Sequence, residues 1–190
     1  MTQRKHHRWV LDESQISTYG LVHKQQKEKL WWENIQVHRR ELNFLVFRDG
    51  SCLTTLICED LARADPCQAA IRAVGPNLLI ALLMDGPQIK GRWSERYAMG
   101  LADDPGTSVL SFTSLGLVTR SNRNQNEKSL AVGLWRDCIK GRTEILSLGH
   151  HEHGLLLRLT KNSREETTLD GRKDGENAHV WKLDGYQGIC

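Results

Sequence analysis

The segment from Ser51 to Gly86 constrains the fold more than any other part of the chain. "SCLTTLIC" is a short apolar run ending at Cys58, and "NLLIALLMDG" is a second, continuous one closed by Asp85-Gly86. Between them "DPCQAAIRAVG" carries Asp65 as a helix cap, Pro66 in the first turn and Gly75 at the end. Strand, helix and strand in that order predict a parallel crossover, and a sheet buried on both faces with helices against it. Just upstream, "ELNFLVFRDG" reads as a strand running into an Asp49-Gly50 turn, with "SCLTTLIC" as its hairpin partner. Downstream, Trp93, Tyr97 and Leu101 lie on one stripe of a helix over 93–102. "TSVLSFTSLGLVTRS", "KSLAVGLW", "RTEILSLG" and "GLLLRLT" read as four or five further short strands. The expected class is a mixed α/β sheet with helices packed on it.

A chain of 190 residues, 39% hydrophobic and 26% charged, suits one ordinary globular domain with a real core. Its organisation divides into a basic lead-in over 1–18, a domain over 19–160 and a polar extension over 161–190. The extension is expected to be flexible and to dock by its last ten residues, where Val180, Trp181, Leu183 and Ile189 supply its few apolar side chains. No apolar stretch approaches the roughly 18 residues of a membrane helix, and "MTQRKHHRW" has no signal-peptide centre. Cys52, Cys58, Cys67, Cys138 and Cys190 form no CxxC pair and are odd in number, which points to a reducing cytoplasm. The net charge of +3 is concentrated in Met1 to Arg40, with eight Lys/Arg against four Asp/Glu. That segment reads first as a solvated face, with contact to nucleic acid as the second reading.

Cys58 is the residue with chemical potential. The carboxyl end of a strand in a sheet of this class opens onto a crevice, and a thiol there becomes a nucleophile when a cation or base lies near. Lys24 is the candidate cation, on the reading that "STYGLVHK" is a strand lying beside that of Cys58. Burial as an inert thiol is the competing account.

The run "GSCLTTLICEDLARADP", followed by "GPNLLIALLMDG" and then "GRWSERYA", resembles the carbon-nitrogen hydrolase (nitrilase) superfamily. The similarity covers Tyr19 to Thr160, and Leu56 to Asp60 is its most specific piece. It implies an α-β-β-α sandwich and a Glu-Lys-Cys triad that hydrolyses a small amide or nitrile without cofactor or metal. By position, Cys58 matches the nucleophile, the backbone N–H of Glu59 falls in the oxyanion site, and Lys24 matches the lysine, with Lys27 as the alternative. Glu28 or Glu33 would be the lysine's partner, although the proline usual after that lysine is missing from "KQQKEKLWWE". The general base should precede the lysine, where the carboxylates are Asp12 and Glu13. The resemblance therefore implies the C-terminal part of such a fold, lacking its N-terminal part, and either a longer protein or a partner that completes it. A homo-oligomer or a partner segment is expected, since half a sandwich exposes apolar sheet.

"YAMGLADDPGTSVLSFTSLGLVTRS" is also similar to nitrilase-like segments fused to bacterial reverse-transcriptase-like antiphage proteins, which implies a catalytically inactive assembly module in a defence system as the alternative function. Two remaining motifs read as structural. His150, His151 and His153 in "GHHEHG" suit a polar loop better than a metal site, because adjacent strand residues face opposite ways. The six tryptophans suit core or interface packing better than base stacking.

Overall fold

The computed structural model describes residues 2–21, 30–47, 50–139, 141–164, 169–170 and 178–190. Its centre is a six-stranded sheet made of β3 (Phe44–Phe47), β4 (Ser51–Ile57), β5 (Leu78–Leu82), β6 (Ser108–Phe112), β7 (Ala131–Arg136) and β8 (Thr143–Ser147), ordered as in the sequence. The β4, β5 and β6 strands run parallel to one another, and the remaining neighbours are antiparallel. The expected mixed α/β sheet is present, with the hairpin at Gly50, where φ is +80°, and the parallel crossover that follows it. Gly75, at φ +65°, ends α2 (Ala69–Val74), whose chain then turns into β5.

Both faces of the sheet are covered, by different kinds of layer. On one face, Leu56, Leu79 and Val109 pack with Ile71 of α2 and with Ala98 and Leu101 of α3 (Trp93–Asp103). On the other, Leu78, Trp135 and Leu146 meet Trp181 and Leu183. Neighbouring residues such as Leu78 and Leu79 alternate between the two cores, as strand geometry requires, and this explains the unbroken apolar run in β5.

The second layer is where the chain departs from expectation. Residues 161–190 were expected to be a polar, flexible extension docking by its last ten residues; the docking is present, through Trp181 and Leu183, but as regular strand pairing, β9 (Gly154–Arg164) and β10 (Ala178–Ile189) forming a long antiparallel pair laid on the sheet. The Trp181 ring stacks on Phe47 at 5.9 Å, and the Ser108 hydroxyl donates to the Trp181 carbonyl at 2.6 Å. The polar composition of the segment reflects its outer face, while Trp181 and Leu183 supply a buried one. A further difference lies in 108–121, where β6 is followed by the helix α4 (Leu115–Ser121) in place of a second strand. Ser114 caps it, its side chain accepting from the Leu117 amide.

The N-terminal lead-in is also structured. A two-stranded ribbon pairs β1 (Val10–Asp12) with β2 (Leu30–Trp32), and α1 (Glu13–Tyr19) follows β1. Asp12 and Gln15 form a reciprocal capping box, and Gly20 ends the helix at φ +63°. "STYGLVHK" is therefore not the strand expected: local capping makes its first residues the end of α1. Among the described residues no helix is long and apolar enough to cross a membrane.

Candidate functional site

The β4 strand ends at Ile57, and the chain turns sharply into a helical turn over Cys58–Ala62. Cys58 takes the turn at φ +52°, a left-handed conformation that costs a residue with a side chain of order 1–3 kcal/mol. The turn lifts the thiol to the carboxyl edge of the parallel strands, where ladder gives way to loops. Ile57, Leu82 and Phe112, the last residues of β4, β5 and β6, line one cavity of about 370 Å³ together with Cys58, Lys5 and Glu33. A second cavity of about 530 Å³ opens on the other side of Cys58, and Trp9, Tyr19, Asp85, Arg92 and Trp93 contribute to its wall.

Among the described residues, Lys5 is the lysine that lines a cavity with Cys58. Its ammonium donates to the Glu33 carboxylate, which also accepts the Trp9 backbone amide at 3.1 Å. The Glu33 amide in turn donates to the Trp9 carbonyl at 2.9 Å, so the Lys5–Glu33 pair is built where the lead-in meets β2. Lys24, Lys27 and Glu28 lie outside the described residues. Of the strand expected to carry Lys24, the described part, Ser17 to Tyr19, belongs to α1. Glu59 lies in the turn behind Cys58, its carboxylate paired with Arg63 at 2.7 Å, so any role in oxyanion binding falls to its backbone amide.

Burial pushes the Cys58 thiol above its ordinary range, while the Met84 backbone amide and the Lys5 charge pull it back. Desolvation disfavours the thiolate more than these two favour it, so the resting group is a thiol that needs a proton acceptor. Cys67, buried against the Asp60 charge, is pushed up to about 12. Alkylation by iodoacetamide should therefore label Cys190 fastest because it is exposed, Cys58 more slowly and only at raised pH, and Cys67 only on unfolding. Mass spectrometry of the labelled peptides checks the order, and labelling of Cys58 ahead of Cys190 would contradict it.

Asp85 organises the larger cavity. Its Oδ1 accepts from the Gly86 amide at 2.8 Å and from Arg92 Nη2 at 2.7 Å, and its Oδ2 accepts from Trp93 Nε1 at 2.9 Å. Tyr19 is pushed up to about 12, by burial first and then by the Asp85 charge, and stays a neutral phenol. The Trp9 and Tyr19 rings meet edge to face at 5.7 Å, as do Trp93 and Tyr97 at 6.2 Å. The result is an aromatic recess beside Cys58 with one internally compensated ion pair.

His6, Asp60 and Cys67 are the metal-ligand side chains that converge among the described residues. Their own hydrogen bonds close the group. His6 Nε2 lies 3.0 Å from the Glu41 carbonyl, which can only accept, so in the neutral ring Nδ1 is the acceptor facing the Cys67 thiol at 3.4 Å. Both Asp60 oxygens accept backbone amides. His150, His151 and His153 occupy the turn between β8 and β9, where the His153 amide donates to the Ile189 carbonyl at 2.7 Å.

Sequence reasoning singled out Cys58 but not Lys5, Asp85 and Arg92, which line cavities with it, nor Asp60 in the same turn. Lys5 sat within a basic lead-in treated as solvated, and only its neighbours His6 and His7 hinted at a polar network. Trp135 and Trp181 belong to the core as expected, whereas Trp9 and Trp93 line the cavity. No family model matches the sequence, and no curated protein matches it.

Proposed function

We propose that the chain is a cysteine-dependent carbon-nitrogen hydrolase module of the nitrilase type, acting on a small amide or nitrile without cofactor or metal. The observation that carries this reading is Cys58 in a left-handed turn at the carboxyl edge of three parallel strands, sharing a cavity with the Lys5–Glu33 pair. The mixed sheet flanked by helices on one face and by a strand pair on the other is compatible with one side of the α-β-β-α sandwich.

In this reading Glu33 takes the thiol proton as Cys58 Sγ bonds to the amide carbon. Charge builds on the former carbonyl oxygen, where the Lys5 ammonium and the Glu59 amide stabilise it. Collapse breaks the C–N bond, Glu33 returns the proton to the leaving amine, and a thioester remains. Water then attacks the thioester carbon, giving its proton to Glu33; the C–S bond breaks, and the proton passes to sulfur to restore the thiol. The aromatic recess around Trp9, Tyr19 and Trp93 would hold the acyl part of the substrate.

The test is ammonia release from a panel of aliphatic and aromatic amides and nitriles, comparing the wild type with Cys58→Ser. Release by the wild type that Cys58→Ser lacks supports the reading. Release that survives Cys58→Ser, or no release from any compound, refutes it. The odd number of cysteines and the lack of a CxxC pair support a cytoplasmic setting for this reading.

One observation favours the second reading, an inactive assembly module of a reverse-transcriptase-linked antiviral system. Leu45 and Val46 on β3 at the sheet edge are 50% and 68% exposed, an apolar edge suited to a second copy or a partner segment. A basic lead-in leaves nucleic acid as a further partner, readable from salt-dependent binding.

A further inference from the structure

We propose that Asp60 is the positioning residue that holds Lys5 against Cys58, an inference that rests on the Cys58–Lys5 reading above. Asp60 is completely buried, two residues after Cys58 in the same helical turn. Its carboxylate receives the His6 amide at 3.1 and 3.0 Å, the His7 amide at 2.9 Å and His7 Nδ1 at 2.9 Å. All these donors come from the two residues that directly follow Lys5. A fully desolvated carboxylate is tolerated only when its lone pairs are filled, and here one short segment fills them.

That segment has no ladder of its own. Residues 2–9 are neither helix nor strand, so no regular hydrogen-bond pattern sets their path. Side-chain ties do so instead: Gln3 to the Asn43 amide at 3.0 Å, His6 to the Glu41 carbonyl, Lys5 to Glu33, and the Asp60 bonds. Of these, the Asp60 bonds alone run to the turn that carries the nucleophile. Any displacement of Cys58 is thereby passed to Lys5 through two peptide groups, and the ammonium keeps its place relative to the thiol. The buried His6 ring also meets the Cys67 thiol at 3.4 Å, a further tie on the same segment.

The role is read from the rate of Cys58 alkylation by iodoacetamide as a function of pH, in the wild type, Lys5→Met, Asp60→Asn and the double variant, each confirmed as folded by circular dichroism. Asparagine keeps one accepting oxygen but loses the charge and turns an N–H toward a donor. At about pH 9, Asp60→Asn should slow Cys58 labelling by roughly 3- to 10-fold, equivalent to raising the thiol by about half a unit to one unit. Lys5→Met should slow it similarly, and the double variant should be no slower than Lys5→Met alone, because Asp60 acts through Lys5. If Lys5→Met slows labelling and Asp60→Asn does not, Asp60 is a structural residue only and the inference falls while the catalytic reading stands. A double variant slower than both singles also overturns it. If Lys5→Met has no effect, both the reading and the inference fail. Should Asp60→Asn not fold, His7→Ala removes only the side-chain bond and is expected to shift the profile in the same direction by a smaller amount; an unchanged profile then counts against the proposal.

Discussion

Lys5→Met is expected to lower amide turnover by roughly 100- to 1000-fold, the usual loss when one donor to a developing oxyanion is removed. The side chain of Lys5 is only 8% exposed and its ammonium is committed to Glu33, so its position is set before substrate arrives. Methionine preserves most of the stem volume and removes the charge. It also leaves the Glu33 carboxylate without its cation, which lowers stability independently of catalysis. The Lys5→Met, Glu33→Gln pair reports the stability effect alone: melting recovers in it, while its turnover is silent on Lys5 because Glu33 is itself the base of the mechanism. Steady-state kinetics of Lys5→Met on whichever amide the wild type hydrolyses checks the loss of turnover. Turnover within a few-fold of wild type would remove Lys5 from the mechanism.

Trp181→Ala should cost about 3–5 kcal/mol, among the largest losses of any single change in this chain. The ring is 7% exposed, stacks on Phe47 and belongs to the core between the β9–β10 hairpin and the sheet. Urea unfolding of the two proteins measures the difference directly. A C-terminal segment that did not dock on the sheet would make the same change nearly neutral, within about 0.5 kcal/mol. Trp181→Phe sharpens the test. The indole Nε1 is buried and has no hydrogen-bond partner among the described residues, so phenylalanine loses packing but also relieves an unsatisfied donor. Its cost should be clearly smaller than that of alanine.

The two variants also mark where reading the chain residue by residue succeeds. The hairpin at Gly50, the crossover from β4 through α2 to β5 and the helix α3 all follow from signals within a few residues of one another: period, cap, proline and glycine. Cys58 was visible for the same reason, as the residue at which an apolar strand meets two carboxylates. Of the C-terminal hairpin only the start of β9 and the docking of the last ten residues were visible; β10 was not seen as a strand, because Trp181 and Leu183 alternate with Lys182 and Asp184 in a polar background. A period of two in a polar background signals a strand only once an apolar face exists for it to cover. The "STYGLVHK" segment failed in the opposite way. Its β-branched and aromatic content suggested a strand, but the Asp12–Gln15 box and Gly20 settle a helix locally.

What the sequence alone determined is thus the class of sheet, its parallel centre and the thiol at its edge, since strand and helix periods are local properties of the chain. What only the tertiary structure decided is the company that thiol keeps. His6 and Asp60 are 54 residues apart, and the bond between them brings Lys5 to the cavity of Cys58. No spacing encodes such a contact; it exists because a segment without its own ladder must satisfy its amides somewhere, and the buried Asp60 carboxylate is where it does so.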